Sequence, residues 1–317
     1  MKDSYMGVDI GGTNLKIALF DYDFRYVDFK TYPSNNKVNP EDVVLLIKER
    51  VKSLSENYNI RSLVCGLPGL IDYKRGYIHS LTNINGWDSL YFKKMLRSSI
   101  KVPVFIDNDV NLAAFAEHQL GSGKGSNNML MISLGTGVGG GLILNGEIYR
   151  GRNNAVSEVG HIQLNPRGPK CSCGNRGCLE SYVGNRRLLT HLKRGLKNSK
   201  SILKKIAISD LKLEDVAKAA ALGDKFSVDF WDYVASKLTQ ALTGVINILN
   251  LEKIIVGGGV SNAGESLLSP LKYHIKEQAM DIQGKSVKIV KARFKDRSGV
   301  VGAGLLGKYN LKRRRAR

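Results

Sequence analysis

The chain has 317 residues, of which 43% are hydrophobic and 24% charged, and its formal net charge is +20. This length allows two domains that each bury a core, and the composition is that of a globular protein. No apolar run reaches the roughly 18 residues of a membrane span. The start of the chain lacks the apolar core of a signal peptide, so we expect a cytoplasmic protein.

The excess of 48 Lys and Arg residues over 28 Asp and Glu residues has two interpretations. One is a polyanionic partner, such as nucleic acid, polyphosphate or a membrane surface. The other is a basic surface that attracts an anionic nucleotide. The basic residues are dispersed, apart from the tail Lys312–Arg317, and this favours the second interpretation. We therefore expect no membrane and no nucleic-acid partner.

Two units of strand, glycine turn and strand are predicted. The first has strands at 5–10 and 15–20 around Gly11-Gly12-Thr13-Asn14, with a third strand at 26–31. The second has strands at 128–134 and 142–144 around a glycine turn at 135–141. The similarity of the two units indicates an internal duplication.

The remaining elements follow from hydrophobic periodicity and helix-start signals. Strands are predicted at 63–66, 102–106 and 253–256, and helices at 40–54, 112–118, 226–249, from about 261, and at 299–308. We place a domain boundary near residue 115. This gives an N-terminal α/β domain at 1–115 and a larger C-terminal α/β domain at 116–298. The segment 299–317 is expected to pack on the first domain.

Three glycine turns follow predicted buried strands, at 11–14, 135–141 and 257–259. Glycine lets backbone N–H groups approach an anion, so the turns suit the phosphates of a nucleotide. Asp9 adds a carboxylate that could face a metal ion, and Thr13 adds a hydroxyl for a phosphate. No Walker A motif and no dinucleotide-binding glycine motif occurs.

Three of the four cysteines, Cys171, Cys173 and Cys178, lie within eight residues, and His161 stands ten positions before the first of them. Three thiolates and one imidazole fill a tetrahedral Zn²⁺ shell. This spacing argues against a disulfide scaffold. With four protein ligands the ion would have no open position, so we predict a structural zinc site.

The segment Asp107-Asn108-Asp109-Val110-Asn111 lies between a predicted strand and a predicted helix. A carboxylate on such a loop could serve as a general base for phosphoryl transfer to a hydroxyl group. From the local sequence alone, a helix N-cap is an equally good interpretation of Asp109.

Together these motifs resemble the two phosphate motifs and the adenosine motif of the actin/hexokinase/Hsp70 ATPase superfamily. The motif Glu158-Val159-Gly160-His161, with the cysteine motif ending at Glu180, narrows the resemblance to the ROK family of bacterial sugar kinases. The resemblance runs from residue 5 to about 307. It implies a two-domain actin-like ATPase (ribonuclease H-like) α/β fold with an interdomain cleft. It also implies an ATP-dependent hexose kinase acting on the 6-hydroxyl, most like a glucokinase.

The resemblance implies a set of site residues. Asp109 would be the catalytic base. The sugar would be bound by Gly69, Asn83, Asn108, Asp109, Glu158, His161 and Glu180. The Mg²⁺–ATP complex would be bound by Asp9, Gly11, Gly12, Thr13, Asn14, Lys16, Thr136, Gly137, Gly257, Gly258 and Gly259. One ring nitrogen of His161 would bind Zn²⁺ while the other faces the sugar. A homodimer or homotetramer is implied.

Two positions depart from the family pattern. Asp107 replaces the usual Glu, and Ser157 replaces the usual Gly before Glu158. The second departure leaves the sugar open, with N-acetylmannosamine, allose and fructose as alternatives to glucose. A polyphosphate donor is a further alternative, suggested by the charge. So is a sugar-sensing transcription regulator, although no room for a helix-turn-helix domain precedes Asp9.

Overall fold

The computed structural model describes residues 1–34, 39–82 and 84–315. The strands are β1 (Lys2–Ile10), β2 (Asn14–Phe20), β3 (Tyr26–Pro33), β4 (Tyr58–Leu67), β5 (Gly69–Asp72), β6 (Tyr77–Leu81), β7 (Val104–Asn108), β8 (Met129–Leu134), β9 (Val138–Leu144), β10 (Glu147–Ile148), β11 (Lys253–Gly257) and β12 (Lys288–Lys291). The α-helices are α1 (Pro40–Ser55), α2 (Phe92–Ser99), α3 (Asp109–Leu120), α4 (Glu180–Val183), α5 (Asn185–Lys197), α6 (Leu213–Ala221), α7 (Lys225–Leu249), α8 (Glu265–Gln278), α9 (Asp281–Ser286) and α10 (Ser298–Arg315).

The chain divides into two compact units. Unit 1 comprises residues 1–124, 148–156 and 296–317, and unit 2 comprises residues 125–147 and 157–295. The first break falls after Lys124 rather than near residue 115 because α3 continues to Leu120. Helix α10 belongs to unit 1.

Unit 1 is built on a five-stranded sheet in the order β3-β2-β1-β4-β7. The first three strands are antiparallel, and β1, β4 and β7 run parallel. Helix α10 packs on β1 so closely that a Cβ on Gly7 would lie 2.2 Å from the Val300 carbonyl oxygen. It meets α3 in the same way, with Gly302 against the carbonyl of Leu112. Glycine is therefore required at both of these positions.

Unit 2 repeats the arrangement with the sheet order β10-β9-β8-β11-β12. Strands β8 and β9 are antiparallel, and β8, β11 and β12 run parallel. The core between this sheet and the helices contains Trp231 and Phe230 of α7, together with leucines of α5 and α8. The repeated sheet order agrees with the duplication inferred from the two glycine motifs.

The predicted elements differ from the structure at several places. Gly139, Gly140 and Gly141 lie in β9 rather than in a turn, because the turn is closed earlier, by a hydrogen bond from Gly135 N–H to the Gly137 carbonyl. The helix predicted from about 261 begins at Glu265, after a 3-10 turn at Gly259–Ala263. Among the described residues, no helix combines the length and apolar character that a membrane span requires.

Candidate functional site

In unit 1, the first glycine turn joins β1 to β2. It is closed by a hydrogen bond from Gly11 N–H to the Asn14 carbonyl, and the Ser34 hydroxyl donates to the Gly11 carbonyl at 2.6 Å. Thr13 and Asn14 are exposed at its tip. The backbone of the turn is therefore fixed by hydrogen bonds, while its two polar side chains are exposed to solvent.

Asp9 is the penultimate residue of β1, lies between the buried Val8 and Ile10, and is paired across the hairpin with Lys16. Gly299, in the first turn of α10, lies against the carboxylate, and a Cβ there would come within 2.9 Å of it. Burial raises the pKa of Asp9 to about 6, although the charge of Lys16 opposes the shift. The Lys16 ammonium also forms an ion pair with Asp296 at 3.2 Å. A carboxylate held in this way would bind a cation readily, because the positive charge offsets the energetic cost of removing the carboxylate from water.

The segment predicted to hold the base is the junction between β7 and α3. The Asn108 side-chain oxygen accepts hydrogen bonds from the backbone N–H groups of Val110 and Asn111, so Asn108 is the N-cap of α3. Asp109 is the first residue of the helix. Of the two local interpretations of Asp109, the helix N-cap is therefore wrong.

Asn108 also ties this junction to Gly69. Its side-chain nitrogen donates to the Gly69 carbonyl at 3.1 Å. Gly69 has φ +133°, and a Cβ at this position would meet the Ser80 carbonyl oxygen of β6 at 2.3 Å. Asn108, Asp109 and Gly69 are therefore brought together in unit 1. Asn83, the other predicted sugar ligand of this unit, lies outside the described residues.

In unit 2, two glycine turns lie side by side because β8 and β11 are neighbouring parallel strands. Gly258 has φ +78°, and a Cβ there would lie 2.3 Å from the Leu134 carbonyl oxygen, just before the turn at Gly135. A cavity of about 170 Å³ opens beside both turns. It is lined by Gly135, Asn185, Leu189, Leu211, Lys212, Leu213, Glu214, Gly259 and Val260.

The sequence did not predict the helical part of this lining. Asn185 and Leu189 belong to α5, and Lys212 and Glu214 lie at the start of α6. The N–H of Asn185 donates to the Gly135 carbonyl, which fixes the start of α5 against the turn. Neither helix was predicted as an element, and apolar periodicity reports which residues face the core rather than which line a cavity.

The predicted metal ligands come together in unit 2. The candidate ligand atoms of His161, Cys171, Cys173 and Cys178 all lie within 4.8 Å of one another. The Cys171 Sγ is 3.6 Å from His161 Nδ1, and the Cys173 and Cys178 Sγ atoms are 3.7 Å apart. These separations suit ligands around one tetrahedral ion and are too long for a disulfide bond. The cluster could hold a metal ion.

The chemistry of the cluster agrees with its geometry. Burial raises the pKa of Cys178 to about 12, whereas a hydrogen bond from the backbone of Asn175 lowers the pKa of the exposed Cys173. A buried thiol needs a cation beside it to act as a thiolate. His161 offers Nδ1 to the cluster, and its Nε2 lies 4.0 Å from the Glu158 carboxylate. The ring therefore faces the cluster on one side and a polar group on the other.

Glu180 connects the cysteine loop with the second glycine turn. One carboxylate oxygen accepts from the Val138 backbone N–H and the other from the Ser172 hydroxyl, each at 2.9 Å. Each oxygen keeps a second lone pair for a further donor. Gly160 and Gly140 let the loop of Glu158 pack directly on β9, because a Cβ on either would lie 2.2 Å from a backbone oxygen of the opposing segment. Glu158 itself stays exposed.

The comparisons with known proteins agree with these motifs. A model described as the ROK family matches residues 5–309. The glucokinase of Halalkalibacterium halodurans is 37% identical over 96% of this chain and 94% of its own length. A ROK family glucokinase from Streptomyces griseus, solved with glucose and AMPPNP, has a TM-score of 0.81 at 29% identity, over 96% of this chain and 99% of that one.

A regulator also matches. A ROK family transcriptional regulator, a homolog of the E. coli MLC protein, has a TM-score of 0.88 at 27% identity, over 97% of this chain and 78% of that one. The two α/β units have the two-domain actin-like ATPase fold predicted from the motifs, as these solved structures do. The chain belongs to the ROK family.

Proposed function

We propose that this protein is an ATP-dependent hexose kinase that phosphorylates the 6-hydroxyl group, with glucose as its preferred sugar. The observation that carries the proposal is the position of Glu180. Its carboxylate contacts both the second glycine turn and the loop of His161 and the cysteines. A sugar kinase must hold a hydroxyl next to the donor phosphates, so a direct connection between these two elements supports this activity. The similarity to glucokinases supports glucose.

Asp109 is the proposed base. It is the first residue of α3 and lies at the N-terminal end of the helix. Because Asn108 supplies the cap, Asp109 is not needed for that purpose. Its carboxylate would take the proton of the 6-hydroxyl as the phosphoryl group is transferred. Asn108, Glu158, His161 and Glu180 would orient the sugar through its other hydroxyls.

The donor would be bound by the glycine turns. The cavity beside Gly135 and Gly259 is lined by the apolar side chain of Leu189 on α5 and by polar residues at the start of α6, which suits the adenosine part of ATP. Thr13 and Thr136 are exposed hydroxyls on turns that present backbone N–H groups. Asp9 would hold Mg²⁺ through water. When bound with the nucleotide, Mg²⁺ neutralises charge on the phosphates.

Zinc is the proposed ion of the cysteine cluster, in a structural role. A closed set of three thiolates and one imidazole selects zinc over the oxygen-binding cations. The ion would fix the His161 ring, so that Nε2 is held on the side of Glu158. The zinc ion would thus help to orient two sugar-binding side chains, those of His161 and Glu158.

The test is phosphorylation of a hexose panel by the purified protein. The panel contains glucose, mannose, fructose, allose and N-acetylmannosamine, and each sugar is assayed with ATP and with inorganic polyphosphate. We expect the highest kcat/KM with glucose and ATP. Asp109→Asn should lower kcat at least about a hundredfold, because a positioned general base contributes about that much or more.

Asp42→Asn is the matched control. Asp42 is also an aspartate in the first turn of a helix, α1, and it lies at the exposed surface. It should keep full activity. Failure to phosphorylate any sugar, or unchanged kcat in Asp109→Asn, would contradict the proposal. Preferential use of polyphosphate or of another sugar would support the kinase activity but assign it a different phosphoryl donor or a different sugar.

A further inference from the structure

The loop that carries Asp109 forms hydrogen bonds to the buried side chain of Asp107, the residue that departs from the family's usual Glu. Asp107 is 2% exposed. One of its carboxylate oxygens accepts from the Asn108 backbone N–H at 2.8 Å and from the Asn111 side chain at 3.3 Å. The residue before Asp109 and the second residue after it therefore both donate to the same buried oxygen.

The other oxygen of Asp107 is bound by Arg150. The guanidinium Nη2 donates to this oxygen, and the side chain of Arg150 is 17% exposed. The guanidinium also lies over the ring of Tyr73, at 4.3 Å from the ring centroid. Arg150 belongs to the segment 148–156 of unit 1, and Tyr73 follows β5. Three separate segments therefore meet at this one guanidinium.

A buried carboxylate keeps one orientation only if a positive charge balances its own charge and fixed donors form hydrogen bonds to its oxygens. Arg150 does both for Asp107, since a planar guanidinium stacked on a ring cannot follow a rotation of the carboxylate. We propose that Arg150 is a positioning residue for the Asp109 base, acting through Asp107 and the backbone of Asn108. This role rests on the proposed kinase function, in which Asp109 takes the proton.

A second buried pair in the same unit provides a matched control. Arg50 of α1 donates to the carboxylate of Asp28 in β3, and the Arg50 side chain is 14% exposed. In both arginines the Nε atom is buried without a hydrogen-bond partner among the described residues. The two arginines are alike in chemistry and burial, whereas the carboxylate of Asp28 is 23% exposed and that of Asp107 only 3% exposed. Asp28, however, lies in β3, at the edge of the sheet opposite to β7.

The experiment compares Arg150→Met with Arg50→Met in the full-length protein. Both should lower the melting temperature, Arg150→Met by more, since it leaves the more deeply buried carboxylate without its partner. Arg150→Met should also lower kcat for hexose phosphorylation by about a hundredfold, the cost of a misplacement of about 1 Å in a catalytic group. The KM for ATP should stay within about threefold, because the glycine turns are unaltered. Arg50→Met should retain kcat.

Two further variants keep the test decisive if Arg150→Met does not fold. Asp107→Asn/Arg150→Met removes both charges, so stability should recover while kcat stays low, because the carboxamide is no longer held by the guanidinium. Arg150→Lys keeps the charge but loses the planar contact with Tyr73, and it should lose kcat with little loss of stability.

The outcomes separate the two proposals. Equal kcat in Arg150→Met and Arg50→Met, full recovery of kcat in the double variant, or unchanged kcat in Arg150→Lys would each overturn the positioning role alone. A wild-type protein that phosphorylates no hexose would overturn the proposed function, and the positioning role with it.

Discussion

Ser157, which directly precedes Glu158, has a backbone conformation that serine rarely adopts. Its φ is +64°, and its hydroxyl is buried without a hydrogen-bond partner among the described residues. The hydroxyl lies against Gly140 of β9, where an added Cβ would come within 2.5 Å of it. A left-handed non-glycine residue and an unsatisfied buried hydroxyl each cost stability. Both features destabilise the segment that is proposed to bind the sugar.

Ser157→Gly should therefore raise the free energy of unfolding by about 1 kcal/mol, since glycine adopts positive φ without strain and removes the hydroxyl. Urea unfolding at pH 7 measures the change. Asn154→Gly is the control, because Asn154 has the same φ of +64° but asparagine tolerates it, so the gain should be smaller. A loss of stability in Ser157→Gly would contradict the prediction.

In the loop that carries Asp109, the local sequence could not predict which residue caps α3 or which residue pairs with Asp107. Asn108 and Asp109 are both good N-cap residues, so residue type could not decide between them. The structure decides it through geometry, because the Asn108 side chain caps α3 while its amide nitrogen reaches Gly69. The Asp107–Arg150 pair was not predictable either. Its members are 43 residues apart in the sequence, and no motif indicates that they pair.

At the scale of elements, α7 is the longest helix of unit 2, and its start depends on Asp224. The Asp224 carboxylate accepts from the Ser227 hydroxyl at 2.7 Å, the Ser201 hydroxyl at 2.8 Å and the Ile202 backbone N–H at 3.0 Å. Burial alone would raise the pKa of Asp224, but these hydrogen bonds outweigh it and hold the pKa below its ordinary value. One side chain therefore caps the helix and fixes the preceding loop.

Asp224→Ala should lower the free energy of unfolding by about 2 kcal/mol at pH 7, through loss of a cap and of buried hydrogen bonds. A depressed folded-state pKa stabilises the protein above the ordinary carboxyl pKa of about 3.9. This contribution is lost as pH falls through the folded-state pKa. The difference between wild type and Asp224→Ala should therefore shrink as the pH falls below the ordinary carboxyl pKa, which urea unfolding from pH 7 downward measures.

Asp229→Ala is the matched control in the same helix. Asp229 pairs with Lys225 at 2.9 Å, and both side chains are exposed. Such a pair contributes at most about 0.5 kcal/mol. A comparable loss in Asp229→Ala, or a loss in Asp224→Ala that is independent of pH, would contradict the role given to Asp224.

The cysteine loop is the second element that carries a prediction. Between His161 and Glu180 the chain forms turns and isolated bridges rather than a helix or strand, so the metal ion should add to the stability that backbone hydrogen bonds provide. Elemental analysis should find about one zinc per chain. Cys173→Ser should lose the zinc, lower the melting temperature and raise the KM for glucose. Because Cys173 is exposed, lost packing would not explain these effects.

Cys65→Ala is the control for that variant. Cys65 is a buried thiol of β4, in unit 1, so its replacement should cost packing energy but leave the zinc content unchanged. Full stability and activity in a zinc-free protein would contradict the structural role of the ion. Zinc loss in Cys65→Ala would show that metal content reports folding in general rather than this loop.

Much of the fold was predictable where an element has a strong local pattern. The strands of both hairpins, the long apolar face of α7 and the last helix were predicted because their periodicity is clear. The hairpin β5–β6 was missed because its strands are short and mixed in polarity. Gly139, Gly140 and Gly141 were assigned to a turn because glycine commonly marks turns. Gly140 is instead a strand residue that makes room for Ser157.

At the scale of the whole molecule, the net charge of +20 is carried by basic residues that are dispersed along the chain, but one internal stretch departs from this pattern. The stretch from Ser181 to Ser209 contains no acidic residue and eight basic ones. Most of these side chains are exposed on α5 and in the loop that follows it. Like charges at this density repel one another and oppose the compact state. The repulsion is screened by salt, with a Debye length of about 10 Å at 0.1 M.

Raising NaCl from about 10 to about 200 mM should therefore raise the melting temperature by several degrees, because screening removes repulsion that exists mainly in the folded state. Lys200→Glu should raise the melting temperature at low salt and have little effect at high salt. Lys225→Glu makes the same change in net charge but breaks the pair with Asp229, so it should not stabilise the protein. Equal stabilisation by both variants would show that only net charge matters. A melting temperature independent of salt would show that the basic stretch does not oppose folding.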